Sequence, residues 1–156
     1  GGLYHHCAGG KKDLMGALYE TVEADFTERV TAGIAPRLAE GEVDPLDIMG
    51  AAIEETLDLS MDPELQQILL LDSLAVLGWS RWREIADKYS LAVVKSLLAA
   101  AVEHGSMKPL PTESLANLLM AALSEAILMI PRAGDQEQAK ADASRSLKAI
   151  IDGLRA

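Results

Sequence analysis

The sequence predicts an all-α protein, and three observations support this. The helix-favouring residues Ala, Leu, Glu and Met outnumber Val, Ile and Thr, which are less favourable in helices. Apolar residues recur at helical spacing, and no segment shows convincing alternation of period two. Start and stop signals divide the chain into helices of ordinary length. The 156 residues, 49% of them hydrophobic, suit one domain with its own core.

The first predicted helix follows the turn at Gly9-Gly10 and runs from Lys11 towards Glu40. Pro36 should kink this helix or end it early, because proline cannot donate the helical hydrogen bond. Apolar residues at steps of four predict its buried stripe: Leu14, Leu18, Val22, Phe26 and Val30.

Two Asp-Pro pairs predict the next helix starts. Asp44 and Asp62 suit the N-cap position, and Pro45 and Pro63 suit the first helical position. The resulting helices cover about residues 45–60, with Leu46, Met49, Ile53 and Leu57 on one face, and a short apolar stretch ending near Gly78.

Three further helices complete the pattern. Residues 79–104 form one long helix that ends at His104-Gly105, a plausible C-terminal stop. The next helix runs from Thr112 to about Ile130, and the last runs from Gly134-Asp135 to near Arg155. The buried stripe predicted for the long helix is Trp82, Ile85, Tyr89, Val93, Leu97 and Ala100.

The last two helices predict a dimer. The segment from Leu115 to Ile130 is apolar nearly all round, whereas the final helix has one apolar stripe with charge opposite. Such a hairpin can form half of a four-helix bundle with a twofold-related copy, although the last helix alone could also cover its neighbour. The predicted interface residues are Leu115, Leu118, Ala122, Leu147, Ile150, Ile151 and Leu154.

Charge and composition narrow the function classes. The net charge is −10, yet the first twelve residues contain Lys11 and Lys12 and no acidic residue, so any contact with DNA is expected there. No uninterrupted apolar run reaches the length of a membrane span, and the N-terminus lacks a signal-peptide pattern. Cys7 is the single cysteine, which agrees with a reducing compartment. A cytoplasmic protein is expected.

Two segments resemble the TetR family of transcriptional regulators. LYHHCAGGKKDL, residues 3–14, is similar to the stretch where the recognition helix of that family ends and the next helix begins. LLLDSLAVLGWSRWREI, residues 69–85, resembles a segment common in the family's effector domains. The positions that match the first pattern are Leu3, Tyr4, His6, Gly10, Lys11 and Leu14.

The resemblance implies a helical bundle of about six helices after a remnant of the recognition helix. Residues 1–10 would be that remnant of the helix-turn-helix domain, and residues 11–156 the ligand-binding and dimerisation domain. Tyr4, His6 and Lys11 would contact DNA phosphates. Cys7 stands where the family usually has Phe, and we interpret it as a small buried hydrophobe rather than a redox sensor. Because most of the head is absent, this chain alone should not dock in a major groove.

A ligand pocket is expected among the helices between residues 45 and 130, with apolar walls and a few polar anchors. Trp79, Trp82 and Tyr89 could stack a flat ligand, and Asn117 and Ser124 are polar residues on an apolar helix. The predicted pocket residues are Met49, Ile53, Leu57, Leu70, Leu74, Trp82, Tyr89, Met120, Ser124 and Ile127.

Catalytic and metal-binding patterns are lacking in the sequence. Three histidines without metal-ligand spacing predict no metal site, and we expect no cofactor and no enzyme activity. The predicted function is a ligand-responsive repressor, homodimeric, that releases operator DNA when a small apolar or aromatic molecule fills its helical core. The alternative is a helical small-molecule-binding or protein-interaction module without DNA-binding activity.

Overall fold

The computed structural model describes residues 9–41 and 43–156, and across these ranges the chain forms six α-helices. This confirms the predicted all-α fold, since the described residues contain no strand beyond one isolated bridge between Met107 and Arg155. The helices are α1 (Lys11–Leu38), α2 (Pro45–Leu59), α3 (Pro63–Leu65, continued by Gln66–Asp72 and Ser73–Leu77), α4 (Trp79–His104), α5 (Thr112–Met129) and α6 (Gln136–Leu154).

Side-chain caps fix where three helices begin. Asp44 accepts a hydrogen bond from the backbone N–H of Leu46 at 2.9 Å, and Asp62 caps α3 in the same way. Asp135 accepts from the N–H of Gln138 at 3.0 Å at the start of α6. The aspartates therefore satisfy amide groups that the first turn of a helix leaves unpaired, as their sequence positions predicted.

The buried face of α1 differs from the predicted stripe. Leu18 is 46% exposed, because each step of four residues advances about 40° beyond a full turn and the predicted stripe therefore drifts around the helix. Steps that mix three and four residues stay on one face, and this pattern holds the buried residues Gly16, Tyr19, Glu23, Phe26 and Ile34. Helix α1 continues through Pro36 and ends two residues later, at Leu38.

The middle of α3 is wound more widely than an α-helix, which the sequence did not predict. Residues Gln66–Asp72 are π-helical, and the carbonyl of Leu69 accepts a hydrogen bond from Nε1 of Trp82 at 2.6 Å. Trp82 on α4 is 1% exposed. The π-helical turn therefore places Leu69 and Leu70 against the core while a buried indole satisfies one of its carbonyl groups.

Helix α5 is unusually apolar. Together with the following turn, Thr112–Arg132 is long and apolar enough to cross a membrane by length and composition, with a mean hydropathy of 1.6. The sequence shows no uninterrupted apolar run of that length here, because Asn117, Ser124 and Glu125 lie within the helix. Its inward face contacts α4 and α6, but only 39% of its most apolar window is buried.

Candidate functional site

Five helices line a partly open cavity of about 110 Å³. Helices α1 to α5 all contribute to its walls, and the walls are mainly apolar. The lining residues are Tyr19, Glu23, Phe26, Thr27, Val30, Thr31, Ile34, Met49, Ala52, Ile53, Thr56, Ser60, Leu65, Leu69, Leu70, Trp82, Ala86, Ser90, Val93, Val94, Leu97, Met120, Leu123, Ser124 and Ile127. An apolar cavity with a few polar groups suits a small organic molecule.

Helix α1 forms one long wall of the cavity. Seven of its side chains line the space, from Tyr19 near the start to Ile34 four turns later. Those residues follow the mixed three-and-four spacing that also buries the helix. Any molecule that fills the cavity therefore contacts the helix that begins at Lys11.

Glu23 places a carboxyl group in this apolar wall. Its side chain is buried, with the residue only 7% exposed. Burial raises the pKa of the Glu23 carboxyl to about 7, and a hydrogen bond from Tyr19 offsets that rise only in part. Burial and the neighbouring Glu23 carboxyl also raise the pKa of the Tyr19 hydroxyl above its usual range. The pair titrates unlike ordinary surface groups.

Hydroxyl groups supply the other polar atoms of the cavity. The Oγ1 of Thr27 is buried and has no hydrogen-bond partner among the described residues. Ser124 on α5 is 3% exposed and also lines the cavity. By contrast, the hydroxyls of Thr56 and Ser60 donate to backbone carbonyls of α2 and are already paired. Within the described residues, Thr27 is thus a buried polar group without a hydrogen-bond partner.

Stacked aromatic rings form one end of the cavity. The rings of Tyr19 and Trp82 lie parallel within 10°, with centroids 6.0 Å apart. Trp79 also stacks on Trp82, with ring centroids 5.5 Å apart, but Trp79 is half exposed and does not line the cavity. The Nε1 of Trp82 already donates to Leu69, so Trp82 offers the cavity carbon surface rather than a free donor.

Most of the predicted pocket residues lie on this cavity. The seven that line it are Met49, Ile53, Leu70, Trp82, Met120, Ser124 and Ile127. Leu57 instead packs between α5 and α6, Leu74 packs against the core beside the cavity, and the Tyr89 hydroxyl donates to Glu20 at 2.9 Å. Asn117 is exposed and donates to the carbonyl of Glu113.

The sequence prediction missed the whole contribution of α1, including Tyr19, Glu23 and Thr27. A signal for it exists: Tyr19, Phe26 and Ile34 keep to one helical face, and Glu23 interrupts that face. A charged residue inside an otherwise apolar stripe indicates either a paired core group or a site. Choosing steps of four obscured this pattern, because it assigned the face to Leu14 and Leu18 instead.

The predicted DNA-contact residues fall at or beyond the start of the described chain. Tyr4 and His6 lie outside the described residues, as does Cys7. Lys11 is exposed at the first position of α1. Gly10 precedes it with a positive φ of 64°, a conformation that suits glycine.

The predicted dimer-interface residues divide into two groups. Leu118 and Ile150 are exposed, at 68% and 45%, and Leu115 and Ala122 are partly buried. The remaining three pack inside the core of the subunit itself: Leu147, Ile151 and Leu154. The stripe of α6 is therefore used to cover its own domain, and Ile150 lies at the edge of that stripe.

Comparisons with known proteins agree with this architecture. Residues 46–154 match the family model described as the tetracyclin repressor-like C-terminal domain. The crystal structure of a TetR-family transcriptional regulator from Pectobacterium atrosepticum is similar over 99% of this chain and 76% of that chain, at 27% identity and a TM-score of 0.80. No curated protein gives a significant match. The chain therefore belongs to the TetR family, and it carries that family's C-terminal domain.

Proposed function

We propose that this chain is the sensing part of a ligand-responsive transcriptional repressor, which releases operator DNA when a small molecule fills the cavity. The observation that carries the proposal is the wall formed by α1. This helix lines the cavity over four turns and begins at Lys11, directly after residues 1–10, which resemble the end of a DNA-reading head. In this proposal, one continuous helix would connect the cavity to the head.

The length of α1 gives the coupling a physical basis. Glu23 lies about 18 Å along the helix from Lys11, at about 1.5 Å per residue. A tilt of about 10° at the cavity would move Lys11 by about 3 Å over that length, and the closely packed core favours discrete alternative positions. A ligand must favour the non-binding position by roughly 1–3 kcal/mol to change operator affinity about 5- to 150-fold.

Contacts with DNA belong to the same proposal. We assign phosphate contacts to Tyr4, His6 and Lys11, and place the boundary between head and sensing domain after residue 10. The exposed ammonium of Lys11 at the beginning of a helix supports this, since both the charge and the helix N-terminus favour an anion. Such a protein would act in the cytoplasm and would have no catalytic step.

A homodimer would present two heads to two operator half-sites, as TetR-family members generally do. Leu118 and Met129 share one exposed face of α5, which would otherwise leave a large apolar area in water. Exposed residues of α6 beside Ile150 are small, and small residues let helices approach closely: Ser146, Ala149 and Gly153. We propose that these faces pair in a four-helix bundle, with the buried stripe of α6 supporting them from beneath.

The dimer proposal is tested with Leu118→Glu. A charge at the centre of the proposed face should convert the dimer to a monomer, which sedimentation equilibrium measures directly. Leu110→Glu is the matched control, because Leu110 is 40% exposed on the loop before α5 and should leave the dimer intact. If Leu118→Glu remains dimeric, the pairing uses a different face.

The sensing proposal is tested without knowing the ligand. Ala52 lines the cavity, so Ala52→Leu partly fills it, whereas the neighbouring Ala51 faces a groove between α2 and α6. Both variants are joined to a complete helix-turn-helix head and titrated by fluorescence anisotropy with DNA flanking the gene. Filling the cavity should weaken operator binding at least about fivefold, and Ala51→Leu should not.

Two results would overturn this function. If Ala52→Leu and Ala51→Leu bind the operator with equal affinity, filling the cavity does not affect DNA binding. Failure of the chain with the complete head to bind any flanking DNA would favour the alternative, a helical small-molecule-binding or protein-interaction module. The strongly acidic body, with a net charge of −10, is the observation that keeps this alternative in the experiment.

A further inference from the structure

We propose that the cavity recognises a compact organic ammonium ion, with its charged nitrogen against Glu23 and its hydrocarbon part among the apolar walls. This inference rests on the proposed function, because it takes the cavity as the sensing site. It adds the charge, the size class and the anchoring residue of the ligand.

The charges around the cavity favour a cation. Glu23 is the one acidic residue among the described lining residues, and none of them is Lys, Arg or His. On α4, Lys88 pairs with Glu20, and Arg83 pairs with Asp87 at 2.6 Å, so both cations already have a carboxylate partner. A buried carboxylate without a cation is costly, and a ligand that supplies the cation would offset that cost. An anionic ligand would place a second negative charge in the same cavity and would increase that cost.

Glu23 and two hydroxyl groups that line the cavity with it equal in number the three N–H donors of a primary ammonium group. Thr27 lies one turn further along α1, on the same cavity wall, and its Oγ1 has no partner among the described residues. The Ser124 hydroxyl belongs to the same cavity from α5. A carboxylate and two hydroxyl oxygens can each accept one N–H, so these three groups supply as many acceptors as the ammonium group has donors.

Aromatic walls favour the same chemistry. Tyr19 and Trp82 stack beside Glu23 in the cavity, and Phe26 lines it one turn away. Because Nε1 of Trp82 is already paired with Leu69, Trp82 contributes its π-system rather than a donor. The negative face of an aromatic ring attracts an ammonium group, and its carbon surface packs against the hydrocarbon part of the ligand.

The volume limits the size of the ligand. A cavity of about 110 Å³ is somewhat smaller than the roughly 150 Å³ apolar cavity that accommodates benzene. One ring or a short alkyl chain beside the nitrogen therefore matches the space, with a small adjustment of side chains. A large polycyclic cation would exceed this space.

Three probes with the same ring and different charges test the proposal: benzylamine, benzyl alcohol and benzoate. Isothermal titration of the unaltered chain at pH 8 should give benzylamine an affinity at least about tenfold above benzyl alcohol, with benzoate weakest, because a hydrogen-bonded charge contributes more than a neutral group. Glu23→Gln should abolish the advantage of benzylamine and leave benzyl alcohol within about twofold.

Controls separate the site from general electrostatics. Glu20→Gln removes one negative charge from the same helix outside the cavity and should keep the preference for benzylamine. Circular dichroism establishes that both variants are folded, and the series on the unaltered chain is decisive without any variant.

Three outcomes would overturn the inference. The unaltered chain could bind benzylamine and benzyl alcohol with equal affinity, or it could fail to bind benzylamine at millimolar concentration. Glu20→Gln could also lose as much of the preference for benzylamine as Glu23→Gln does. None of them alters the operator experiment with Ala52→Leu. The ring-compound titrations therefore test the charge of the ligand, and the operator titration of Ala52→Leu separately tests whether the cavity controls DNA binding.

Discussion

The buried carboxyl of Glu23 makes the stability of the fold depend on pH, and Glu23→Gln should remove that dependence. Burial raises the pKa of this group from 4.5 to about 7 in the folded protein. Between those two values the folded state holds a proton that the unfolded state has released. Stability from this group is therefore fully present below about pH 4.5, falls as the pH rises towards 7, and is constant above that range.

The magnitude follows from the shift of the pKa. A difference of about 2.5 pH units corresponds to about 3 kcal/mol in total, of which about 2.5 kcal/mol is lost between pH 5 and pH 8. Glutamine has nearly the shape of the protonated acid but cannot ionise. The free energy of unfolding of Glu23→Gln, relative to the unaltered chain, should therefore increase by about 2.5 kcal/mol over the same interval.

Urea unfolding followed by far-ultraviolet circular dichroism measures this difference at pH 5 and pH 8. The protein concentration is held constant, because dimer formation would also stabilise the folded state. Comparing variants cancels the titration of all other groups, and Glu20→Gln serves as the control at a carboxylate that is paired on the surface with Lys88. If Glu23→Gln shows the same free-energy difference at both pH values, the carboxyl is not buried as a titrating group and the reasoning fails.

Two further substitutions test the walls of the cavity. Trp82→Phe leaves the Leu69 carbonyl without its indole partner and should lower the free energy of unfolding by about 2–3 kcal/mol. Trp79→Phe removes a similar ring area at an exposed position and should change the free energy of unfolding by less than about 0.5 kcal/mol. Urea unfolding of both variants distinguishes the loss of a buried hydrogen bond from the loss of ring area alone. Thr27→Val replaces an unpaired buried hydroxyl with a methyl group and should raise the melting temperature, because it stabilises the folded state by about 1 kcal/mol. Thr21→Val on the exposed face of the same helix is the control and should not raise the melting temperature. A lower melting temperature of Thr27→Val would show that the hydroxyl has a hydrogen-bond partner in solution.

The helices could be predicted because their ends are encoded locally. Asp44-Pro45 and Asp62-Pro63 each place a capping carboxylate before a residue that needs no N–H partner, and Gly105 adopts the left-handed conformation that ends α4. These signals act over a few residues and do not depend on what the helix packs against. The family resemblance added the expectation that about six such helices pack into one bundle.

The walls of the cavity could be predicted only in part, because they depend on how the helices rotate against one another. Apolar spacing placed Met49 and Ile53 on one face of α2, and both line the cavity, as does the predicted pocket residue Met120 of α5. The face of α1 is determined by contacts with α2, α4 and α3, so a small error in the assumed period exchanged Tyr19 for Leu18. The π-helical turn of α3 was unpredictable for the same reason, since the buried indole of Trp82 that stabilises it belongs to another helix.

The unfavourable features of this fold are concentrated on one helix. The carboxyl of Glu23 and the unpaired hydroxyl of Thr27 both line the cavity on α1, and each would cost less if it were apolar. In the proposed sensor, a molecule that satisfies these groups would stabilise one position of α1 relative to another, because the cost is removed only where the helix holds both groups against the molecule. Differential stabilisation of two positions is what a ligand needs in order to shift a conformational equilibrium. In the proposed sensor, the polar groups of α1 would therefore supply the free-energy difference through which the cavity controls the helix that begins at Lys11.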